Sequence, residues 1–241
     1  MANHTEFLED IARWQRDAVK ITLPAGTGCL SAVGGLTGPA FFPEGFGLSY
    51  AALRGKGSLR VLAIGHNFGC EVYRKGIEPA GREDNQATWR NLDKLLSEAG
   101  SHPDDCFRTN WFIGLQPGEK QIGSFLNDPN PPYERACCSL LAVQIRRIKP
   151  KAILLLGPEV ASRAHQLIPS LLPWKDAKKW IEIDRSSIGH SVLDVEIPAA
   201  SLRANVVALL HPSFAAVNQG RRMKNMTSPV TESQIVRAAL A

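Results

Sequence analysis

The apolar positions of this chain change their period along its length, and each change marks an element. RVLAIG (60–65) and AILLLG (152–157) are short unbroken apolar runs that stop on glycine, the pattern of strands covered on both faces. CFRTNWFIGL (106–115) and ANVVALLHPS (204–213) predict two more strands, the second running into a polar tail. Between them the period lengthens. TWRNLDKLLSEAG (88–100) and YERACCSLLAVQIRRIKP (133–150) carry apolar residues at helical spacing, one closing on Gly100 and the other on Pro150. GPEVASRAHQLI (157–168) predicts a helix behind the third strand, and SPVTESQIVRAALA (228–241) a closing helix. WIEIDR (180–185) and VLDVEI (192–197) alternate and predict short strands. Strands alternating with helices imply an α/β class, a three-layer α/β/α sandwich around a central, mostly parallel four-stranded sheet.

Residues 1–57 follow a different pattern. A short amphipathic helix is predicted over 4–19, from Phe7, Leu8, Ile11, Ala12, Trp14 and Val19 among charges, with Thr5 as its cap. From about Leu23 to Gly57 the chain is rich in glycine and proline, with Phe41, Phe42, Phe46 and Tyr50 among them. These aromatics need burial, so the segment is read as an extension packed on a domain spanning 58–241. The 241 residues, 44% hydrophobic and 21% charged, suit one generous domain with a full core. No apolar run is long enough to span a bilayer, and MANHTEFLED lacks the layout of a secretory signal. A cytoplasmic protein with no membrane association is the expectation. Five cysteines with no C-x-x-C pair argue against a disulfide framework. The net charge of +5 is compatible with a polyanionic partner without requiring one.

In a parallel α/β sheet ligands gather beyond the carboxyl ends of the strands. Those ends carry His66 and Asn67 after the first strand, Thr109 and Asn110 in the second, Gly157-Pro158-Glu159 after the third, and His211-Pro212-Ser213 after the last. Two asparagines and a histidine make a polar, nearly neutral set. It suits an amide-like heterocycle better than a metal or a phosphate. A nucleotide cofactor is not expected either, since neither G-x-G-x-x-G nor G-x-x-x-x-G-K-[ST] is present.

The same residues resemble the uracil-DNA glycosylase superfamily. GHNFG (65–69) is similar to its first motif and LLHPS (209–213) to its second. TNWFIGL (109–115) resembles the middle strand whose asparagine reads the base, and DNQATWRNLDKLLSEAG (84–100) the helix after the first motif. CCSLLAVQIRRIKPKAILLLGPEVA (137–161) resembles the helix–strand unit that follows. The matches run in order from about Leu59 to Gly220. One branch of that superfamily holds an iron–sulfur cluster on four cysteines. Cys137 falls where that branch has a ligand, but the other three are missing, so no metal or other cofactor is expected.

The resemblance implies a partner, DNA containing uracil or another deaminated base, and a monofunctional hydrolase of base excision repair. Such an enzyme flips the base out of the stack and breaks its glycosidic bond through an oxocarbenium-like sugar. By resemblance Asn67 holds the attacking water, with Gly65 letting the substrate approach, and His211 donates to the base O2 as charge develops there. Asn110 offers a donor and an acceptor to the O4 and N3–H edge of uracil. Tyr73 is the first choice for the stacking aromatic, followed by Phe68 and Trp89. Phe68 stands where proline is frequent, which leaves base selectivity open. His66 has no settled role: it reaches a phosphate or the sugar, or it only faces solvent. In the segment after the second motif, read as a loop that enters the duplex, Phe214 or Val217 is the wedge, and Ser213, Arg221 and Arg222 hold phosphates. Each residue has a plainer alternative: Asn67 bracing a turn, His211 bonded to backbone, Asn110 buried in a turn, the arginines a solvated cluster. Because one base-flipping site works alone, a monomer is expected. The alternative function is a base-recognising binder of the same fold with little or no catalysis. A nucleoside hydrolase fits less well, since the strand ends carry no carboxylate cluster for a metal.

Overall fold

The computed structural model describes residues 59–67, 69–70, 72, 75–76, 87–112, 119, 131–226 and 229–241. The N-terminal helix and glycine/proline-rich extension, together with Phe68 and Tyr73, lie outside them. The described elements run β1 (Val61–Gly65), α1 (Ala87–Glu98), β2 (Cys106–Asn110), α2 (Pro131–Ile148), β3 (Ala152–Leu156), α3 (Pro158–Arg163), α4 (Trp180–Asp184), β4 (Ser191–Ile197), β5 (Leu202–Leu209), α5 (Ala215–Asn225) and α6 (Glu232–Leu240).

The sheet order is β2-β1-β3-β5-β4. The first four strands are parallel, and β4 closes the edge antiparallel to β5. The sheet therefore has five strands rather than four. Strand side chains alternate between faces, and two separate cores result. Leu62, Ile64, Phe107, Ile153, Leu155, Val206 and Ala208 pack with α2 and α3. Val61, Ala63, Cys106, Leu154, Leu156, Val207 and Leu209 pack with α1 and α6. That is why β1, β2 and β3 are buried along their whole length, and why AILLL shows no polar alternation. Cys137 is a wholly buried member of the first core.

Helix ends follow local chemistry. α1 buries Trp89, Leu92 and Leu96. It ends where Gly100 takes φ +83° while the Ser101 N–H reaches the Leu96 carbonyl, the left-handed stop that glycine makes easy. α2 ends on Lys149 at φ 51°, with Arg146 and Arg147 in its last turn beside the carbonyl end. α6 opens on Thr231, whose hydroxyl accepts from the Gln234 N–H while the Gln234 side chain accepts from the Thr231 N–H.

Two segments differ from the expectation. Residues 180–184 form the helix α4 and not a strand. W-I-E-I-D alternates, but five residues also fit one helical turn, and the Glu182 carboxylate accepts from the Lys178 and Lys179 N–H groups at 2.6 and 3.0 Å. Only Ile183 of this helix is buried. The segment after His211 is not an open loop either. A single 3₁₀ turn, Pro212–Phe214, leads directly into α5.

Candidate active site

The chain leaves β1 for β2 on one side of the sheet and returns through α2 to β3 on the other. At such a switch point the loops diverge and open a crevice beyond the strand ends. His66, Asn67, Asn110 and His211 stand at these strand ends.

Gly65 and Asn110 are register partners at the last rung of the β1–β2 ladder. The ladder continues one step, with the Trp111 N–H bonded to the Gly65 carbonyl at 2.8 Å and the Phe112 N–H to the His66 carbonyl at 2.9 Å. A Cβ on Gly65 would lie 2.3 Å from Asn110 Oδ1. Glycine here leaves room for the Asn110 amide, which lies across it. At Gly69 the reason is different: φ is +86°, a conformation that side chains resist. Asn67 lies between them, part-buried, its Nδ2 donating to the Gly69 carbonyl at 3.3 Å. This bond braces the turn and leaves the amide oxygen of Asn67 for another partner. Asn110 is itself buried.

His66 packs edge-on to Phe112, with centroids 5.3 Å apart and planes at 82°. Its Nε2 stands 3.0 Å from Glu159 Oε2. Phe112 in turn stacks on Tyr133 at 6.2 Å and carries the Arg163 guanidinium 4.8 Å over its ring. Arg163 is held by Glu134 at 3.2 Å.

His211 closes the crevice from the β5 side. Burial, with a smaller contribution from nearby His66, pushes its imidazole down to about 4, so it is neutral at neutral pH. Its Nδ1 is buried and has no hydrogen-bond partner among the described residues. The following turn is fastened to α1: the Ser213 hydroxyl meets Thr88 Oγ1 at 2.5 Å, and Asn91 Nδ2 donates to the Pro212 carbonyl at 2.9 Å. Phe214 stands out from this turn, 45% exposed, with its ring 6.0 Å from that of His211.

Arg222 corrects the sequence reading. It does not face solvent or a phosphate; its side chain is 3% exposed. Nε lies 3.2 and 3.1 Å from the two carboxylate oxygens of Asp184, Nη2 lies 2.7 Å from Asp184 Oδ1, and Nη1 pairs with Glu232 Oε1. Nη2 also reaches the Ala208 carbonyl at 3.1 Å, and the guanidinium lies 4.5 Å over the Trp180 ring. Glu232 Oε2 accepts from the Leu210 N–H at 3.0 Å. The network thus grips the main chain on both sides of Leu209, immediately before His211. Helix formation explains the difference, because α5 turns position 222 inward. Val217 and Arg221 lie on α5 with side chains outside the described set, and Lys224 is exposed. Trp89 belongs to the α1/α6 core and not to the crevice.

The arrangement is a neutral histidine and two carboxamides at one end of the parallel strands, with the exposed Phe214 beside the histidine. The family model of the uracil DNA glycosylase superfamily matches residues 54–233. The chain belongs to that superfamily. No curated protein sequence matches it. Membership supports an enzyme of the glycosylase class in general. Sequence reasoning found the strand-end residues of this site because motif and strand end coincide. It missed Thr88, Asn91 and the Asp184–Arg222–Glu232 network, whose partners lie far apart in the chain. The one signal for the first two was their spacing, three residues apart on one polar helix face.

Proposed function

We propose that this superfamily member is a monofunctional DNA glycosylase that excises uracil, and related deaminated bases, by hydrolysis. The observation that supports it most is the neutral, part-buried His211 at the same carboxyl end of the parallel sheet as Asn67 and Asn110. Breaking the glycosidic bond places negative charge on the departing base. A preorganised neutral donor stabilises that charge without the desolvation cost of an imidazolium. Because Nδ1 of His211 is buried without a partner among the described residues, the proton is better placed on Nε2, which then donates to O2 of the base. Asn110, fixed across Gly65, reads the O4 and N3–H edge. The amide oxygen of Asn67 accepts from the attacking water. Phe214 at the rim is suited to fill the space that a flipped base leaves in a duplex. A lysine is missing from this set, so the reaction is hydrolysis without a covalent Schiff base.

The test is cleavage of labelled oligonucleotides carrying one uracil, single-stranded or paired with G or A, followed by alkali. Strand scission is expected, reduced about 10²–10³-fold in His211→Ala, as when one oxyanion donor is removed, and reduced also in Asn67→Ala. Binding to the uracil strand with no scission would replace this reading by the base-recognising binder.

A further inference from the structure

We propose that His66 accepts the proton of the attacking water and that Glu159 orients and polarises it for that task. The inference rests on the reading of this site as hydrolytic.

The need comes from the chemistry. When water adds to the sugar carbon it must lose a proton, and Asn67 can hold a water but cannot take its proton. The adjacent residue can. His66 is directly bonded to Asn67 in the chain and follows β1, the strand between β2 and β3 where the strand order reverses. Glu159 follows β3, so it comes from the opposite lip of the same crevice. The two side chains meet across it, His66 Nε2 at 3.0 Å from Glu159 Oε2, with His66 15% exposed and Glu159 45%. The contact is at ion-pair distance but short of hydrogen-bond alignment, as resting catalytic pairs often are before substrate tightens them.

His66 is also held in place. Its carbonyl accepts from the Phe112 N–H, and its ring rests edge-on against Phe112. Phe112 is fixed in turn by Tyr133 on one side and by Arg163 over its ring. With the proton on Nε2, the nitrogen nearest the carboxylate, Nδ1 keeps the lone pair that a base requires. Among the described residues, the charged and titratable groups near the ring include Glu159 and, on the same helix, Arg163 above Phe112, with His211 on the β5 side. His211 is neutral, and the influence of His66 on it runs in that direction. The two histidines therefore divide the work: one donates to the base without charge, and the other becomes charged.

The step balances. The C1′–N1 bond breaks with its electron pair going to the base, whose oxygen is held by His211. The water oxygen bonds to C1′, and its proton passes to His66 Nδ1, where Glu159 stabilises the imidazolium. The proton then leaves to solvent or to the departing base. Glu159 is a positioning residue, since it acts through His66.

The experiment is single-turnover excision from a uracil-containing single strand. Wild type is measured first, then His66→Ala, His66→Gln, Glu159→Gln and Glu159→Asp. Affinity for the same strand carrying 2′-fluorodeoxyuridine, which resists cleavage, is measured in parallel. His66→Ala and His66→Gln are expected to be slower by about 100-fold at unchanged affinity. Added imidazole should restore part of the His66→Ala rate and none of the His66→Gln rate, because glutamine fills the space. Glu159→Gln should be slower by at least about 10-fold at unchanged affinity, with Glu159→Asp recovering part of the loss. Active wild type with both His66 variants within about threefold of it would overturn the base assignment and leave the glycosylase reading standing. Slow variants whose loss is all in affinity, or that imidazole does not rescue, would overturn it equally. A folded wild type that binds and does not cleave would overturn the glycosylase reading itself.

Discussion

Replacing Arg222 by methionine keeps most of the side-chain volume in α5 and removes one buried charge. In the wild type, Arg222 and Asp184 are each 3% exposed and Glu232 6%. The substitution leaves two carboxylates facing one another without their counter-ion. Removing one partner of a buried ion pair destabilises by about 3–5 kcal/mol. The lost contact with the Trp180 ring adds about 1 kcal/mol. The expected destabilisation is therefore about 4–6 kcal/mol, against the ~5–15 kcal/mol typical of a whole domain. The loss has a pH signature. Burial already raises the Glu232 carboxyl above its ordinary 4.5, and Arg222 works against that rise. Without the arginine the carboxyl rises further. A carboxyl raised in the folded state binds its proton more tightly than the unfolded chain does, so stability falls as pH rises through the window above 4.5. Urea unfolding of both proteins at pH 5 and pH 8 is the assay, and the difference between them should be larger at pH 8. The triple variant Arg222→Met, Asp184→Asn, Glu232→Gln should recover much of the loss, because no buried charge remains. A single-variant loss under about 1 kcal/mol, the value of an exposed pair, would refute the reasoning. So would a loss independent of pH.

Two further outcomes are expected. Gly65→Ala places a Cβ 2.3 Å from Asn110 Oδ1; the amide must swing away, so excision should fall by about 100-fold with little change in melting temperature, and equal activity in a gel assay would contradict the role of Asn110. The His211 ring should titrate near 4 by NMR of its nitrogens, because burial disfavours its charge. Since the unfolded histidine titrates near 6.5, its contribution to stability is lost as pH falls from 6.5 towards 4; a ring midpoint at 6 or above would remove the argument for a neutral donor.

The layers and their order could be read in the sequence because they depend on local period. AILLL is apolar on both faces, α1 repeats its apolar side every three to four residues, and Gly100 and Pro150 stop helices by backbone chemistry alone. The strand-end residues Asn67, Asn110 and His211 were visible for a related reason: in a parallel sheet, position in the chain already says which end of the layer a residue occupies. Tertiary structure decided what depends on partners distant in sequence. WIEID became helical because the Glu182 carboxylate satisfied the N–H groups before it and only Ile183 was needed in the core. VLDVEI forms the strand expected of it, but its place as the antiparallel edge β4, and the mixed exposure that goes with it, came from pairing with β5. Arg222 sits in a basic run that looks solvated until α5 turns it onto Asp184 and Glu232. Gly65 is fixed by the Asn110 amide across the ladder, and His66 gains Glu159 from the strand on its other side. The sequence alone determined which groups stand at the strand ends, since local periodicity and strand direction place them there. Which groups touch was left to the packing of β1 between β2 and β3, because a contact depends on register and burial across segments that the chain itself keeps apart.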